Sequence, residues 1–241
     1  MSTEETTFLT GFPGFIASRL LRRLAVDEGR FLLLVQPAFA ERACKEIENI
    51  SRASGRQAAD FVILSGDITV NDLGMSATDL EKARAESTVV FHLAAVYDLA
   101  VTRELGMRVN VEGTHNVNEF VRSLPHLRQY HYVSTCYVAG KRTDRILENQ
   151  LQHEAGFRNH YEETKYLAEL AVDALKPELP ITIHRPAVVC GDSRTGETAK
   201  YDGIYYLIHY LLKWPAMLSA FNIGNSEVAL NLVPEIGRAH V

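Results

Sequence analysis

Tyr161 and Lys165 present a phenol and an amine four residues apart at the start of a predicted helix. That spacing places both side chains on one face of the helix. A phenol with its usual pKa of about 10 transfers a proton poorly near neutral pH, and a neighbouring ammonium lowers that pKa by favouring the phenolate. The pair therefore indicates acid–base chemistry, although the same spacing also occurs on helix faces that are only solvated.

Two hydroxyl side chains, Ser134 and Thr135, follow directly after a strand predicted over Gln129–Val133. The carboxyl ends of strands are where open parallel sheets bind their ligands. We therefore expect these hydroxyls to lie at the same ligand site as Tyr161 and Lys165.

A glycine turn joins the first predicted strand to the first predicted helix, with the pattern Gly11-x-x-Gly14-x-x-Ala17. Glycine allows a tight turn and a close approach of a diphosphate to the backbone, and the N–H groups at a helix start favour negative charge. Glycines also mark ordinary strand-to-helix turns, but the order of strand, turn and helix predicts a dinucleotide-binding cradle. Its candidate contacts are Gly11, Phe12, Pro13, Gly14, Phe15 and Ile16.

The residues after the second predicted strand bear on which nicotinamide cofactor is bound. An acidic side chain there hydrogen-bonds the ribose 2′-hydroxyl of NAD, whereas it would repel the 2′-phosphate of NADP. The sequence has Gln36 at this point, and Arg42 lies just downstream. Arg42 could contact a phosphate or could simply be exposed at a helix start. We expect both residues to contact the cofactor, and NADP(H) to be favoured over NAD(H).

Short apolar runs rich in β-branched and aromatic residues alternate with segments of helical spacing, which is typical of a parallel sheet covered by helices. The predicted strands are Thr7–Thr10, Phe31–Val35, Phe61–Leu64, Thr88–Leu93, Gln129–Val133 and Ile181–His184. The predicted helices are Gly14–Val26, Phe39–Ser54, Thr102–Ser123, His160–Leu175 and Ile204–Trp214. We therefore predict an α/β fold built on a doubly wound, Rossmann-like parallel sheet.

The predicted sheet occupies residues 1–190 as an NAD(P)-binding domain, because no repeat or Gly/Ser-rich linker divides it. Residues 191–234 are expected to form the start of a small, truncated substrate-facing lobe, beginning with a polar loop at 192–202. The last residues, 235–241, show no periodicity, and we expect a non-native tail there.

Composition excludes several classes of protein. The 25 Lys and Arg residues against 30 Asp and Glu give a net charge of −5, so no overall positive field attracts nucleic acid or an anionic membrane. The longest apolar stretch, Ile204–Leu218, is too short to span a bilayer. Three well-separated cysteines and an N-terminus without a signal sequence predict a cytoplasmic location. The histidines lack companions at ligand spacing, so no metal is predicted.

Several motifs together cover nearly the whole chain. They are the glycine turn, His92-Leu93-Ala94-Ala95, Asn110-Val111-Glu112-Gly113-Thr114, Ser134-Thr135, Tyr161-x-x-x-Lys165 and Arg185-Pro186. In this combination the sequence resembles the extended short-chain dehydrogenase/reductases. The stretch Gly191–Glu197, followed by Lys200–Gly203, resembles the male-sterility-type branch that contains thioester reductase domains and fatty acyl-CoA reductases.

The resemblance implies roles for the candidate residues. Tyr161 would donate a proton to the substrate oxygen as hydride arrives, Lys165 would lower the Tyr161 pKa and hold the nicotinamide ribose, and Thr135 would orient the carbonyl, with Ser134 as the adjacent candidate. The cofactor contacts that it adds are Asp67, Ile68, Leu93, Ala94, Ala95, Asn110, Ser134, Tyr161, Lys165, Pro186 and Val188. The candidates for lining an acyl channel, which could equally be packing residues, are Phe12, Tyr97, Tyr201, Tyr205 and Tyr206.

The activity that the resemblance implies is NADP-dependent reduction of an acyl thioester, bound to CoA or to a carrier, to an aldehyde or onward to an alcohol. Two alternatives stay open. One is another enzyme of the same fold, a nucleotide-sugar epimerase/dehydratase or a ketone reductase. The other is a non-catalytic NADP-binding scaffold or regulator. The expected partner is the acyl-CoA or acyl-carrier substrate, and the oligomeric state is left open.

Overall fold

The computed structural model describes residues 5–27, 29–193, 196, 198, 204–213 and 232–234. The chain divides into two compact units, Met1–Pro186 and Ala187–Val241. The first unit contains every predicted site residue except Val188, which belongs to the second.

Six parallel strands form one sheet in the first unit. Their bounds are β1 Thr6–Thr10, β2 Arg30–Val35, β3 Phe61–Ser65, β4 Val89–His92, β5 Gln129–Val133 and β6 Ile181–His184. The strand order is β3-β2-β1-β4-β5-β6, so the chain winds outward from β1 in both directions. The carboxyl ends of β1 and β4 therefore form the switch point at which open sheets bind ligands. The doubly wound, Rossmann-like fold predicted from the sequence is confirmed.

Helices cover this sheet on both faces. Their bounds are α1 Phe15–Leu24, α2 Ala40–Ser54, α3 Ala77–Glu86, α4 Arg103–Gly106, α5 Gly113–Arg122 and α6 His160–Asp173. Helix α3 was not predicted, because it buries only Leu80 and Ala83 and carries no continuous apolar stripe. Its start is marked by a polar cap, in which the Ser76 hydroxyl accepts the Asp79 backbone N–H at 3.1 Å.

The single helix predicted over Thr102–Ser123 is wrong in one respect, because a π-helical stretch at Met107–Glu112 separates α4 from α5. A π turn holds one more residue than an α turn, and such turns are frequent at functional sites. Asn110 and Val111 are buried within this stretch. The candidate Asn110 is thus presented by an irregular turn, which helical periodicity alone does not indicate.

The core lies on both faces of the sheet, so that all five residues of β1 are buried. On one face Phe8 contacts Phe120 of α5, with ring centroids 4.6 Å apart. On the other face Leu9 belongs to a cluster with Leu21 of α1 and Ile50 of α2. Strands covered on both faces, such as β2 with Phe31–Val35 buried, appear in the sequence as continuous apolar runs, whereas β5 and β6 alternate.

The second unit contains a two-stranded parallel pair, β7 Val188–Cys190 with β8 Leu232–Pro234, and helix α7 Ile204–Lys213. The Gly191 backbone N–H donates to the Tyr205 hydroxyl at 2.6 Å. Helix α7 is described as far as Lys213, and the predicted last residue, Trp214, lies outside the described residues. Among the residues that the structure describes, no helix is both long and apolar enough to cross a membrane.

Two expectations concern segments that the described residues cover only in part or not at all. The predicted loop at 192–202 is described at four positions, and the predicted tail at 235–241 lies outside the described residues. The candidate channel residue Tyr201 also lies outside them.

Candidate active site

Tyr161 and Thr135 meet at the carboxyl edge of the sheet. Thr135 follows the end of β5, and Tyr161 is the second residue of α6, whose start is capped by the Asn159 side chain accepting the Glu162 backbone N–H at 2.9 Å. Tyr161 is 6% exposed and Thr135 is 5% exposed. Burial raises the pKa of Tyr161 above its ordinary value, and the hydrogen bond with Thr135 lowers it again in part. The phenol is thus held in its protonated, donating form.

Lys165 lies one turn along α6 and is also buried. Its ammonium donates to the Tyr132 hydroxyl at 2.8 Å and to the Val133 carbonyl at 3.0 Å. Burial lowers the pKa of Lys165 to about 7, and the negative charge of Glu169 opposes that shift. The side chain therefore shares the helix face of Tyr161, as predicted, but its hydrogen bonds go to β5 rather than to the phenol. Tyr132 was missed, because a tyrosine in an apolar strand reads as a packing residue.

Ser134 serves a different purpose from its neighbour Thr135. Its hydroxyl donates to the carboxylate of Glu169, which is fully buried on α6. The same carboxylate accepts from Arg185 Nε at 2.8 Å and from Arg185 Nη2 at 2.5 Å. A buried carboxylate needs such partners, since an unpaired one would be costly. Ser134 thus ties the end of β5 to α6, and Thr135 is the hydroxyl beside Tyr161.

The glycine turn has no space for a side chain at either Gly11 or Gly14. Gly11 has φ +87°, and a Cβ built on it would lie 2.8 Å from the backbone of Leu93 and Ala94. A Cβ on Gly14 would lie 2.6 Å from the Gly11 carbonyl oxygen. Gly14 is also the N-cap of α1, and no side chain caps that helix. Residues around Gly11, Gly14 and Phe15 therefore fit a dinucleotide diphosphate, which would accept the N–H groups of the helix start.

A buried hydrogen-bond network fixes the strand ends beside this turn. The Thr10 hydroxyl oxygen accepts the backbone N–H groups of Leu93 at 3.2 Å and Ala94 at 3.1 Å, and it lies 2.8 Å from His92 Nδ1. Burial, followed by the charge of Lys165, lowers the pKa of His92 to about 3, so the imidazole is neutral. This network agrees with a structural rather than catalytic His92, and it positions the Leu93–Ala94 backbone at the cradle.

Asn110 connects the π-helical stretch to α6. Its side-chain oxygen accepts the Val96 backbone N–H at 2.9 Å, and its Nδ2 donates to the Thr164 hydroxyl at 3.1 Å. Both contacts lie within the protein interior, where Asn110 is 1% exposed. The side chain therefore orders the segment after Ala95 as well as occupying a position predicted to contact the cofactor.

The remaining cofactor candidates lie at the other strand ends. Gln36 Nε2 donates to Asp67 Oδ2 at 2.9 Å, joining the ends of β2 and β3. Arg42 is exposed in the first turn of α2, and Ile68 is buried. The Pro186 carbonyl accepts the backbone N–H of Cys136 at 3.0 Å.

Two of the predicted channel aromatics take clear positions in the first unit. Phe12 is 3% exposed and belongs to the core cluster beneath α1 and α2, so its side chain packs rather than lines a channel. Tyr97 is half exposed, and its ring stands edge-on to that of Tyr161 with centroids 5.5 Å apart. Tyr205 and Tyr206 lie on α7 in the second unit. No group of three His, Cys, Asp or Glu side chains suited to a metal occurs among the described residues.

Glu162 lies in the first turn of α6, where an acidic residue is typical of a solvated polar helix face. It is instead 3% exposed. Its carboxylate accepts the Arg158 backbone N–H at 2.9 Å, closing the loop before α6 onto the helix.

Two curated proteins are similar to this chain over most of its length. The fatty acyl-CoA reductase wat of Drosophila melanogaster is 24% identical over 238 residues, covering 84% of this chain and 46% of that protein. The hybrid PKS-NRPS synthetase ucsA of Acremonium sp is 28% identical over 211 residues, covering 85% of this chain and 5% of that protein. The chain thus spans less than half the length of either protein.

A solved structure shows the same fold. The terminal R domain from the myxalamid PKS-NRPS biosynthetic pathway matches with a TM-score of 0.80 at 24% identity, covering 98% of this chain and 60% of that one. The family model described as male sterility protein, an NAD-binding family, matches residues 9–235, which include the glycine turn, the Tyr161–Lys165 pair and the strand ends between them. With nearly its whole length matched, this chain belongs to the male sterility protein family of NAD-binding domains.

Proposed function

We propose that this chain is an NADP-dependent reductase of acyl thioesters, either acyl-CoA or acyl groups on a carrier. The observation that carries the proposal is the buried contact between Tyr161 and Thr135 at the carboxyl edge of a sheet whose glycine turn fits a diphosphate. The names of the similar proteins, an acyl-CoA reductase and a synthetase, support the thioester as the substrate class.

The chain's own residues account for the polar part of such a reaction. A bound NADPH would supply the hydride. Thr135 and Tyr161 would hydrogen-bond the thioester carbonyl oxygen, and Tyr161 would transfer its proton to that oxygen as the carbonyl carbon gains the hydride. The product of this step is a hemithioacetal, which loses the thiol by cleavage of its C–S bond and leaves an aldehyde. A second hydride and proton would convert the aldehyde to an alcohol.

Burial of Tyr161 works against proton donation, so its position and its neighbours must offset that effect. A positioned general acid contributes a factor of about 10² to 10⁴ in rate. The raised pKa makes the buried phenol a weaker acid, and the Thr135 hydroxyl opposes that rise. Lys165 would hold the nicotinamide ribose and stabilise the phenolate that remains after transfer.

The preference for NADP over NAD rests on the end of β2. Gln36 stands where an acid would repel the 2′-phosphate, and the exposed Arg42 lies one turn into α2. We expect Arg42→Ala to weaken NADPH binding by about tenfold while leaving NADH binding nearly unchanged, since one ionic hydrogen bond is removed. Arg52→Ala, at an exposed position further along α2, is the matched control. Equal losses for both coenzymes would contradict the assignment.

The test of the proposed activity is a coupled product analysis. NADPH oxidation is followed with panels of acyl-CoA, acyl-carrier and nucleotide-sugar substrates, and released thiol and aldehyde or alcohol are quantified together. We expect one thiol per acyl group reduced, with one or two NADPH consumed. Turnover of a nucleotide sugar without net NADPH consumption would favour an epimerase instead. Tight NADPH binding without turnover of any panel would favour a non-catalytic scaffold.

The remaining proposals concern the partner of the chain and its location in the cell. The substrate or its carrier is the partner that this reaction needs, and we propose the cytoplasm as its location. Fractionation of the source cells and detection of the chain by antibody would test the location.

A further inference from the structure

The Lys165 ammonium is held by a tyrosine to which neither the proposed reaction nor the family match assigns a part. Tyr132 lies on β5, is 1% exposed, and its hydroxyl is 2.8 Å from Lys165 Nζ. The ammonium also lies 4.4 Å from the centre of the Tyr132 ring. The Tyr132 hydroxyl and the Val133 carbonyl, which is 3.0 Å from Nζ, together accept two of the three ammonium N–H groups.

The direction of each hydrogen bond around Tyr132 follows from its neighbours. Lys165 can only donate, so the Tyr132 oxygen accepts. Tyr132 also hydrogen-bonds the Thr114 hydroxyl, and Thr114 donates its own proton to the Asn110 carbonyl at 2.6 Å. Thr114 Oγ1 also lies 3.1 Å from His92 Nε2, so Tyr132, Thr114 and His92 form one buried polar cluster. Because Lys165 is the donor, the Tyr132 oxygen is the acceptor that this cluster presents to the ammonium.

We infer that Tyr132 is a positioning residue for cofactor binding and reduction, which holds Lys165 charged and aimed so that its third N–H meets the nicotinamide ribose. The inference rests on the proposed function, because it assumes a nicotinamide cofactor in the glycine cradle. Tyr132 itself touches neither substrate nor cofactor in this scheme, and it acts through Lys165.

The charged and titratable groups facing Lys165 come from three elements. Glu169 on α6 favours the cation, while His92 on β4 interacts with it but stays neutral. Tyr132 on β5 accepts its hydrogen bond. Of these partners, only the Tyr132 oxygen bonds the ammonium directly, so its removal is expected to lower the proton affinity of Lys165 further.

A matched control lies two residues away on the same strand face. Tyr130 is fully buried, and its hydroxyl donates to Asn118 Oδ1 at 3.0 Å. Tyr130→Phe therefore removes a buried tyrosine hydroxyl and one hydrogen bond, as Tyr132→Phe does, but it leaves the surroundings of Lys165 unchanged. A purely structural role for Tyr132 predicts the same behaviour for both variants.

The test compares the unmodified chain, Tyr132→Phe and Tyr130→Phe by NADPH fluorescence titration between pH 5.5 and 9, with thermal unfolding measured in parallel. We expect both variants to lose similar stability. In Tyr132→Phe alone, NADPH binding at pH 7.5 should weaken by about tenfold, and the pH above which binding weakens should fall by about one unit, because the cation has lost an acceptor. If an acyl thioester is turned over, KM for NADPH should rise in the same variant.

Unchanged NADPH affinity and pH midpoint in Tyr132→Phe, or equal changes in Tyr130→Phe, would overturn the inference. Should Tyr132→Phe not fold, 4-fluorophenylalanine introduced at position 132 nearly preserves the shape and offers only a weak acceptor with no titratable proton, so a shift of the same sign is expected. NADPH binding without thioester turnover would refute the proposed function and still decide the role of Tyr132. Failure of the unmodified chain to bind NADPH would overturn both.

Discussion

Replacing Gly11 by alanine should damage cofactor binding more than its cost in stability alone would suggest. The residue has φ +87°, a conformation that costs an alanine about 1–2 kcal/mol. The new Cβ would also sit 2.8 Å from backbone atoms of Leu93 and Ala94, about 0.6 Å inside ordinary van der Waals contact. Because these neighbours are backbone, the turn and the β4 end must move apart. A displacement of this size at a preorganised site should weaken NADPH binding at least tenfold.

Gly55 supplies the control for backbone strain. It ends α2 at φ +75°, and a Cβ there would meet no atom within 4 Å. Gly55→Ala should therefore cost about 1 kcal/mol of unfolding free energy, or roughly 2–4 °C in melting temperature, with NADPH affinity unchanged.

Thermal unfolding and NADPH fluorescence titration on both variants separate the two effects. We expect Gly11→Ala to lose more stability than Gly55→Ala and to lose affinity as well. The reasoning about the cradle is refuted if Gly11→Ala folds and binds NADPH as tightly as Gly55→Ala does.

Three further predictions follow from the same geometry. Tyr161→Phe should lower turnover by at least tenfold at nearly unchanged NADPH affinity, and an unaltered rate in steady-state assays would show that another group supplies the proton. Thr135→Val should lower turnover. Ser134→Ala should mainly lower the free energy of unfolding, by about 1–3 kcal/mol, because the buried Glu169 carboxylate loses a hydrogen-bond donor. Urea unfolding and steady-state kinetics of both variants would show whether the two effects separate in this way. Because the folded pKa of Lys165, about 7, lies below its unfolded value, its contribution to stability rises as pH increases from about 7 towards 10.5. NADPH affinity depends on the folded chain alone, and it should begin to fall as the pH rises above about 7. Lys165→Met should abolish both slopes, and a slope that persists in either measurement would assign it to another group.

The sheet could be predicted closely because β2, β3 and β4 appear as apolar runs, while β5 and β6 show the alternation of strands with one more exposed face. All six predicted strands of the first unit are present within one or two residues of their expected bounds. Helix α3 escaped prediction because its buried surface is limited to Leu80 and Ala83. The π-helical stretch could not be predicted, because the sequence pattern around its buried residues, Asn110 and Val111, is equally compatible with an α-helix.

The candidate site could be predicted as a set of residues but not as a set of contacts. Helical spacing in the sequence pairs Lys165 with Tyr161. In the structure the Lys165 ammonium instead donates hydrogen bonds to Tyr132 and Val133 of β5, which lie 33 and 32 positions earlier in the chain. Glu162 and Glu169 look like surface residues in the sequence, yet both are buried, since strand ends and loops supply their donors. A weak signal was available for Glu169, which stands four residues after Lys165 and so shares its helix face.

The π-helical stretch at Met107–Glu112 makes chain length, rather than residue type, a determinant of this fold. Each residue of an α-helix turns the chain by about 100°, whereas a residue of a π turn turns it by only about 80°, so rewinding these six residues as an α-helix at unchanged length would rotate all that follows by about 100°. Val117 and Phe120 would then leave the core, and Thr114 would leave His92. Loss of one residue within this stretch could be absorbed by rewinding it as an α-helix, so a single-residue deletion should be better tolerated here than in α5, where no extra residue can compensate.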